Sequence, residues 1–370
     1  MFINTRTMKR IGIIGAGIFG LSIGIELAKR GYDITIFDRA KDILCGASTI
    51  NHLRHHYGFH YPRSKDTVLE IQKARQNFEK EFGECIGEFF PDYYWCCKEG
   101  TKTTPENFIK FCDEMNLPYK IEWPEERYMD RNKIGVCIKV PERVYDPNEL
   151  KKLIYKKLKG ISINLKLGYE VIGGEILGKK KKIRAKSKSG VIEEEFDFII
   201  NATYSNFNSF NKWFGFPRKK LQYEKIELLE LEIPNQMKVG LTIMDGEFSS
   251  ILPRGNKGTF TLGHVKESVL KAIVSDDLDV NVMTEDNTKS NRDVIIKEGI
   301  KDFPFLKNAK IIRSLFVTRV VRPNVEDTDE RPSEITNYGN GMYSVFGGKV
   351  ITCVDIARKV VEMIKEEELK

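Results

Sequence analysis

The stretch RHHYGFHYPRS, residues 54–64, concentrates side chains that could do chemistry. His55, His56 and His60 are three of the chain's five histidines, and they are interleaved with aromatic residues. Such a stretch could form a metal site, supply a general base, or belong to an aromatic core with hydrogen-bonded imidazoles. No carboxylate or cysteine partners with a recognised metal spacing accompany the histidines, so we predict no metal.

The segment upstream of the histidines predicts a nucleotide site. RIGIIG (10–15) is typical of a short strand, and Gly15, Gly17 and Gly20 form a GxGxxG turn into an amphipathic helix. A second strand, DITIFD, then ends in Asp38. The first glycine makes the turn, the second admits a pyrophosphate, the third permits close packing, and the acid binds ribose hydroxyls. This order predicts dinucleotide binding but does not distinguish NAD from FAD.

Composition sets the outer limits of function. A chain of 370 residues with 41% hydrophobic residues predicts two structural units with real cores. The net charge of +7 fits an anionic substrate or cofactor, but it fits a protein with no special partner better. The tetralysine at 179–182 indicates a solvated hairpin tip rather than a nucleic-acid site. Seven scattered cysteines indicate reduced thiols, hence a cytoplasmic protein, and no apolar run is long enough for a transmembrane segment.

The later sequence favours a flavin over NAD. No second series of βαβ units follows Asp38; instead a helix is expected from about Ser64, after the histidines. Between residues 225 and 265, short strand-like runs separated by Pro and Gly turns predict an antiparallel meander. The fold class expected is α/β, α+β overall.

Several motifs resemble the family of FAD-dependent amino-acid and hydroxy-acid oxidoreductases, which includes D-amino acid and glycine oxidases. They are GAGIFGLSIGIELAKRGYDITIFDRA, ASTINHLRHHYGFHYP, FDFIINAT, VVRP and GNGMYSVFGGKVITCVDIARKVVEMI. The mixture looks most like the L-2-hydroxyglutarate dehydrogenase and glycerol-3-phosphate dehydrogenase branches. The resemblance implies a Rossmann-like FAD-binding domain and an inserted antiparallel-sheet substrate domain. The implied FAD-binding domain comprises 1–90, 146–215 and 310–370, and the substrate domain comprises 91–145 and 216–309.

The resemblance also implies which residues contact FAD. They are Gly15, Gly17, Ile18, Phe19, Gly20, Asp38, Arg39, Ala47, Ser48, Asn51, Val171, Ala202, Thr203, Gly347, Gly348, Lys349, Val350 and Ile351. Tyr204 stands where the family has a glycine. A helix is expected to start near Lys349, with backbone amides that stabilise negative charge on the reduced flavin.

The resemblance also implies catalytic roles for several residues. The resemblance places His56 beside the flavin, and we interpret it as a general base. Arg322, in VVRP, resembles a carboxylate-binding arginine, since a guanidinium fork matches a carboxylate. Arg319 is close enough in sequence to serve instead, and Arg54 and Arg254 are weaker candidates. Lys349 completes the predicted catalytic set.

These features predict an FAD-dependent enzyme that oxidises a small anionic substrate by hydride transfer. An alcohol must also lose its hydroxyl proton, so a histidine favours a 2-hydroxy acid over an amino acid. The alternatives are a D-amino acid or amine oxidase, a glycerol-phosphate dehydrogenase, and a non-catalytic dinucleotide-binding protein. The sequence leaves open the substrate's side chain, the electron acceptor (oxygen or a quinone) and the oligomeric state.

Overall fold

A computed structural model describes residues 8–235, 237–256, 258–284, 288–325 and 330–369. Its strands are β1 (Arg10–Ile14), β2 (Asp33–Asp38), β3 (Arg54–His55), β4 (Asp92–Cys97), β5 (Lys120–Ile121), β6 (Ile134–Val140), β7 (Arg143–Val144), β8 (Ile163–Leu167), β9 (Glu170–Leu177), β10 (Lys180–Ser187), β11 (Gly190–Phe196), β12 (Phe198–Asn201), β13 (Leu221–Glu232), β14 (Gly240–Met244), β15 (Ser249–Pro253), β16 (Thr259–His264), β17 (Val269–Ser275), β18 (Lys310–Val321), β19 (Glu334–Gly339) and β20 (Met342–Phe346). Its α-helices are α1 (Ile18–Ala28), α2 (Lys65–Phe82), α3 (Pro105–Glu114), α4 (Pro147–Leu158), α5 (Phe207–Phe214), α6 (Asn281–Thr284), α7 (Arg292–Asp302) and α8 (Cys353–Glu368).

A six-stranded sheet in the order β19-β20-β12-β1-β2-β8 carries the glycine-rich turn. All its pairs are parallel except β19–β20. The strand, turn, helix and strand predicted for residues 10–38 are confirmed, with Ile11 facing Ile34 across β1 and β2. Because α1 follows β1 directly, its N-terminus lies at the carboxyl end of the central strands.

The predicted antiparallel region forms a second, nine-stranded sheet. Its main path is β17-β13-β16-β15-β14-β4-β6-β5, and β18 pairs along β13. The resemblance implies that residues 310–321 belong to the FAD-binding domain, but they form β18, which pairs with β13. The hydrogen-bonded ladder instead makes them part of the large sheet, and the chain returns to the six-stranded sheet at β19.

One helix starts where the sequence predicts it, and side-chain caps mark the starts of the next two. Helix α2 follows Ser64, and the Thr104 side chain accepts a hydrogen bond from Asn107 N at the start of α3. The Asp146 carboxylate caps α4 in the same way, accepting from two backbone amides. The last helix differs from expectation: α8 begins at Cys353, after a short 3₁₀ turn, rather than near Lys349.

The β9–β10 hairpin carries the tetralysine. Gly178 has φ +63° and turns the chain at the tip, as predicted. Lys181 departs from the prediction of a wholly solvated run, because it is only 2% exposed and its Nζ donates to Asp197 O at 2.7 Å. Among the described helices, none is long and apolar enough to cross a membrane.

Candidate functional site

A cavity of about 620 Å³ lies against the carboxyl ends of β1 and β2 and reaches the large sheet. Crevices at this position of a parallel sheet are the usual ligand sites of such folds. The residues predicted to bind a cofactor line this cavity, with the exceptions of Gly20 and Ile351. The fold thus brings segments that are more than 300 residues apart in the chain to one cavity.

The glycine-rich turn has no room for side chains at two of its three glycines. Gly15 has φ +110°, and a Cβ there would lie 2.6 Å from Ala202 O. A Cβ at Gly20 would lie 2.0 Å from Gly15 O, so this glycine permits close packing behind the cavity wall. At Gly17 a Cβ would meet only Ser48 Oγ, at 3.5 Å, and would enter the cavity. The space beside Gly17, at the N-terminus of α1, suits a pyrophosphate.

The end of β2 supplies the acidic group of the predicted nucleotide site. The Asp38 carboxylate accepts hydrogen bonds from Ala16 N at 2.7 Å and Ala40 N at 2.8 Å, which fix it at the cavity wall. Each carboxylate oxygen has further lone pairs for ribose hydroxyls. The neighbouring Arg39 also lines the cavity, and its Nη1 donates to Asn281 Oδ1 at 3.2 Å.

Hydrogen bonds of Asn51 hold the loop before the histidines. Its Nδ2 donates to Ala47 O and Tyr145 Oη, and its Oδ1 accepts from Leu53 N. Ser48 lies in the same loop, and its Oγ accepts from Ile18 N, the first residue of α1, at 3.1 Å. The polar side chains of Asn51 and Ser48 therefore bond to protein atoms and hold this part of the cavity wall in place.

Tyr204, which stands where the family has a glycine, adopts a backbone conformation that glycine tolerates best. Its φ is +56°, in the left-handed region that side chains disfavour. The phenol Oη donates to Val320 O and accepts from Val320 N, both at 3.0 Å, which anchors this backbone to β18. Val171, from β9, completes this side of the cavity.

The turn before α8 closes the opposite side of the cavity. A Cβ on Gly347 would lie 2.3 Å from the Phe19 ring, and one on Gly348 would lie 1.9 Å from Arg331 O. The Lys349 ammonium lies 4.1 Å from the centroid of the Tyr61 ring. Ile351 is fully buried in the core instead. Helix α8 begins four residues after Lys349. On this side of the cavity, the nearest backbone amides therefore belong to the turn before α8 and not to the α-helix itself.

Burial keeps three of the histidines that line the cavity neutral, namely His52, His56 and His60. Burial, reinforced by the nearby Lys349 and Arg54 charges, holds the pKa of His56 well below its usual 6.5. Burial and the Arg54 charge lower the pKa of His60 to about 3, and the same two causes lower the pKa of His52 well below its usual value. The Nδ1 atoms of all three are buried and have no hydrogen-bond partner. Each ring can therefore act as a neutral proton acceptor.

Sequence reasoning missed the buried network beneath these histidines. Arg54 is 5% exposed, and it donates from Nη1 to Tyr94 Oη at 2.8 Å and from Nη2 to Thr242 Oγ1 at 2.6 Å. Glu142 is fully buried, accepts from the backbone amide of Tyr57 at 2.7 Å, and has Oε1 3.9 Å from His56 Nδ1. These partners come from β4, β14 and the β6–β7 turn, and no local motif links them.

Two of the four arginines proposed to bind a carboxylate line the cavity, and two do not. Arg322, the first choice, is not among the described residues that line the cavity, and its Nε and Nη2 donate to Glu334 Oε1 at 2.9 and 2.6 Å. Arg254 is also outside the lining and donates to Thr49 O at 3.1 Å. Arg319 and Arg54 line the cavity, and Arg319 Nε donates to Glu224 Oε2.

The donor set at this site fits a dinucleotide. Among the described residues, no group of three or more His, Cys, Asp and Glu side chains is arranged to hold a metal ion. The open space at Gly17 suits the pyrophosphate of FAD, and the anchored Asp38 carboxylate suits its ribose hydroxyls.

Comparison with known proteins establishes the family. The chain matches the DAO family model of FAD-dependent oxidoreductases over residues 10–348, and it belongs to that family. It is thus an FAD-dependent oxidoreductase, as the sequence motifs predicted.

Individual relatives carry different activities on this fold. The FAD-dependent monooxygenase FPY4 of Fusarium mangiferae is 24% identical over 362 residues, covering 96% of this chain and 91% of that protein. The L-proline dehydrogenase structure from P. horikoshii has a TM-score of 0.74 at 19% identity, with 97% and 94% of the two chains covered. The glycerol-3-phosphate dehydrogenase of Bacillus halodurans complexed with FAD has a TM-score of 0.64 at 16% identity, covering 98% of this chain and 65% of that one. The structural likenesses show the fold and leave the substrate open.

Proposed function

We propose that this enzyme oxidises a small anionic 2-hydroxy acid to the corresponding 2-oxo acid. The observation that supports it is that two cationic side chains, Arg54 and Lys349, line the cavity together with neutral imidazoles. Burial is the main cause that lowers the pKa of His52, His56 and His60, and the Arg54 charge lowers each pKa further, as expected where a cation lies near enough to stabilise an anion. The only carboxylates among the described lining residues are Asp38 and Glu170, both on the nucleotide side.

Two cations reach this end of the cavity. Lys349 comes from the turn before α8, and Arg54 comes from β3 with a guanidinium fixed by Tyr94 and Thr242. A fixed guanidinium loses little side-chain entropy when it binds a carboxylate. In this proposal, these two residues hold the substrate carboxylate, the role that the sequence motif suggested for Arg322.

His56 serves as the proton acceptor in the proposed reaction. FAD, when bound, supplies the acceptor for the hydride that leaves the substrate carbon. The hydroxyl proton passes to the neutral imidazole of His56, so that the alcohol becomes a carbonyl and both electrons leave the substrate. Glu142, 3.9 Å from His56 Nδ1, offers nearby negative charge to the imidazolium that forms.

An amino acid is the second candidate, and one observation favours it. The pKa of His56 is held well below 6.5, so its imidazole is a weak base. A neutral amine can give up hydride without a strong base, whereas an alcohol also has to lose a proton.

Anaerobic bleaching of the bound flavin separates these candidates. The holoenzyme is mixed in turn with 2-hydroxy acids, amino acids and glycerol phosphates, and the flavin absorbance is followed. Rapid bleaching by 2-hydroxy acids alone is the expected result. Bleaching only by amino acids, or only by glycerol phosphates, would replace the proposed substrate, and no bleaching by any class would favour a non-catalytic role.

A further inference from the structure

An aliphatic wall lies in the same cavity as the basic groups. Ile226 and Leu228 on β13 and Val317 on β18 line the cavity, and Ile226 faces Val317 across the ladder. With Leu315, which faces Leu228, they belong to one hydrophobic cluster. Alternate residues of paired strands share one face, so the wall is a continuous patch of the large sheet.

The wall is separate from the elements of the nucleotide site. The glycine-rich turn and Asp38 belong to the six-stranded sheet, whereas Ile226, Leu228 and Val317 belong to the nine-stranded sheet. The wall therefore faces the part of the cavity that remains for the substrate.

Gly263 joins the wall to the basic end of the cavity. A Cβ on Gly263 would lie 2.6 Å from Leu228 Cδ2 and 2.9 Å from His52 Nε2. His52 in turn lies close enough to Arg54 for that charge to lower its pKa. A ligand held at Arg54 could thus extend past His52 and Gly263 onto Leu228.

We infer that the substrate is amphipathic: a 2-hydroxy acid with an uncharged aliphatic side chain that packs on Ile226, Leu228 and Val317. This inference rests on the proposed function and specifies its substrate. A second carboxylate packed on these aliphatic side chains would lose its hydration, and Arg319, the cation that lines the cavity from the same strand as Val317, pairs with Glu224.

The wall predicts a chain-length effect. Each methylene group that moves from water onto apolar surface should raise kcat/KM about fourfold, until the wall is covered. Flavin reduction would be measured with glycolate, lactate, 2-hydroxybutyrate, 2-hydroxypentanoate and 2-hydroxyhexanoate. A dicarboxylate of equal length, 2-hydroxyglutarate, should react more slowly than 2-hydroxypentanoate.

A matched pair of variants connects the effect to the wall. Leu228→Ser should reduce the ratio of kcat/KM for 2-hydroxyhexanoate over glycolate by about tenfold, because a polar side chain replaces the packing surface. Leu315→Ser changes the opposite residue of the same cluster, which is buried but is not among the described lining residues, and it should leave this ratio unchanged. Equal ratios in the two variants would overturn the assignment of Leu228.

Binding of unreactive carboxylates separates this inference from the proposed reaction. The wild-type holoenzyme would be titrated with acetate, butyrate and hexanoate, and the shift of the oxidised flavin spectrum would be recorded. Tighter binding with length supports the wall even if no hydroxy acid bleaches the flavin. Bleaching by 2-hydroxy acids with no dependence on length, or with a preference for the dicarboxylate, would overturn the inference and leave the proposed reaction intact.

Discussion

At the residue scale, two adjacent histidines have different surroundings. His56 lines the cavity, whereas His55, its neighbour in β3, is buried outside it with Nε2 3.4 Å from Glu79 Oε1. Successive side chains of an extended segment point to opposite sides, which explains how one residue of this pair reaches the cavity and the other joins the packing around α2.

His56→Asn should leave FAD bound and slow flavin reduction by about 10²–10⁴-fold, because the hydroxyl proton loses its acceptor. Stopped-flow reduction by the best 2-hydroxy acid would measure the rate. His55→Asn is the matched control and should keep a near-normal rate, since this side chain lies outside the cavity. Similar rates in both variants would assign His56 a packing role.

The pH dependence of kcat/KM tests the state of His56 directly. Its pKa is lowered well below 6.5, so the imidazole is unprotonated and competent at neutral pH. Activity should therefore stay level as pH falls through 6.5 and decline only at more acid pH. A decline centred on neutrality that disappears in His56→Asn would show that the histidine titrates with an ordinary pKa.

Lysine substitutions test the two arginines against each other. Arg54→Lys keeps the charge but loses the fork, and it should weaken substrate binding to the oxidised enzyme by about ten- to hundredfold. Arg322→Lys should have little effect, because Arg322 pairs with Glu334 away from the described lining of the cavity. FAD content should be normal in both variants, and the reverse order of affinities would restore Arg322 as the clamp.

At the scale of the element, β4 carries an acid into the interior of the large sheet. Asp92 is fully buried, and burial, with a smaller effect of Glu142, raises its pKa well above 3.8 although Arg54 opposes the shift. The folded protein therefore binds a proton that the unfolded chain releases at lower pH. Stability should fall as pH rises from about 4 towards the folded pKa of Asp92.

Asp92→Asn should remove this dependence, because an amide has no charge to desolvate. The advantage of Asn over Asp in unfolding free energy should grow by about 1.4 kcal/mol per pH unit within that window. Denaturant unfolding at about pH 5 and about pH 8 would measure it. Asp293→Asn, at a side chain that is 91% exposed, should show no such trend. A constant difference between Asp92→Asn and wild type at both pH values would contradict the prediction.

At the scale of the whole molecule, FAD should stabilise the fold, because its cavity joins elements of both sheets. Free FAD at about 100 times its Kd should add about 2.7 kcal/mol to the unfolding free energy of stripped protein. Gly17→Leu should lose this response, since its side chain would enter the cavity. Gly83→Leu is the control, because Gly83 is exposed and a Cβ added there would have no other atom within 4 Å. This variant should respond normally to FAD in thermal melts. A normal response of Gly17→Leu would place the cofactor elsewhere.

The sequence by itself determined the family, the cofactor and the local elements, because these depend on short-range signals. The spacing of Gly15, Gly17 and Gly20 between two strands, the second of which ends in Asp38, is typical of a nucleotide-binding turn. The capping residues Thr104 and Asp146 likewise act on backbone groups within three residues of themselves.

Only the tertiary structure decided which distant side chains meet in the cavity. Arg54 finds Thr242 and Glu142 through strand pairing across the molecule, and a motif cannot encode a pairing between segments that are 188 and 88 residues apart. Arg322 carries the motif residue but turns to Glu334, because β18 pairs with β13 and leaves the motif at the end of that strand. Side-chain chemistry is local, whereas the position of a charge relative to a cavity is set by the packing of whole sheets.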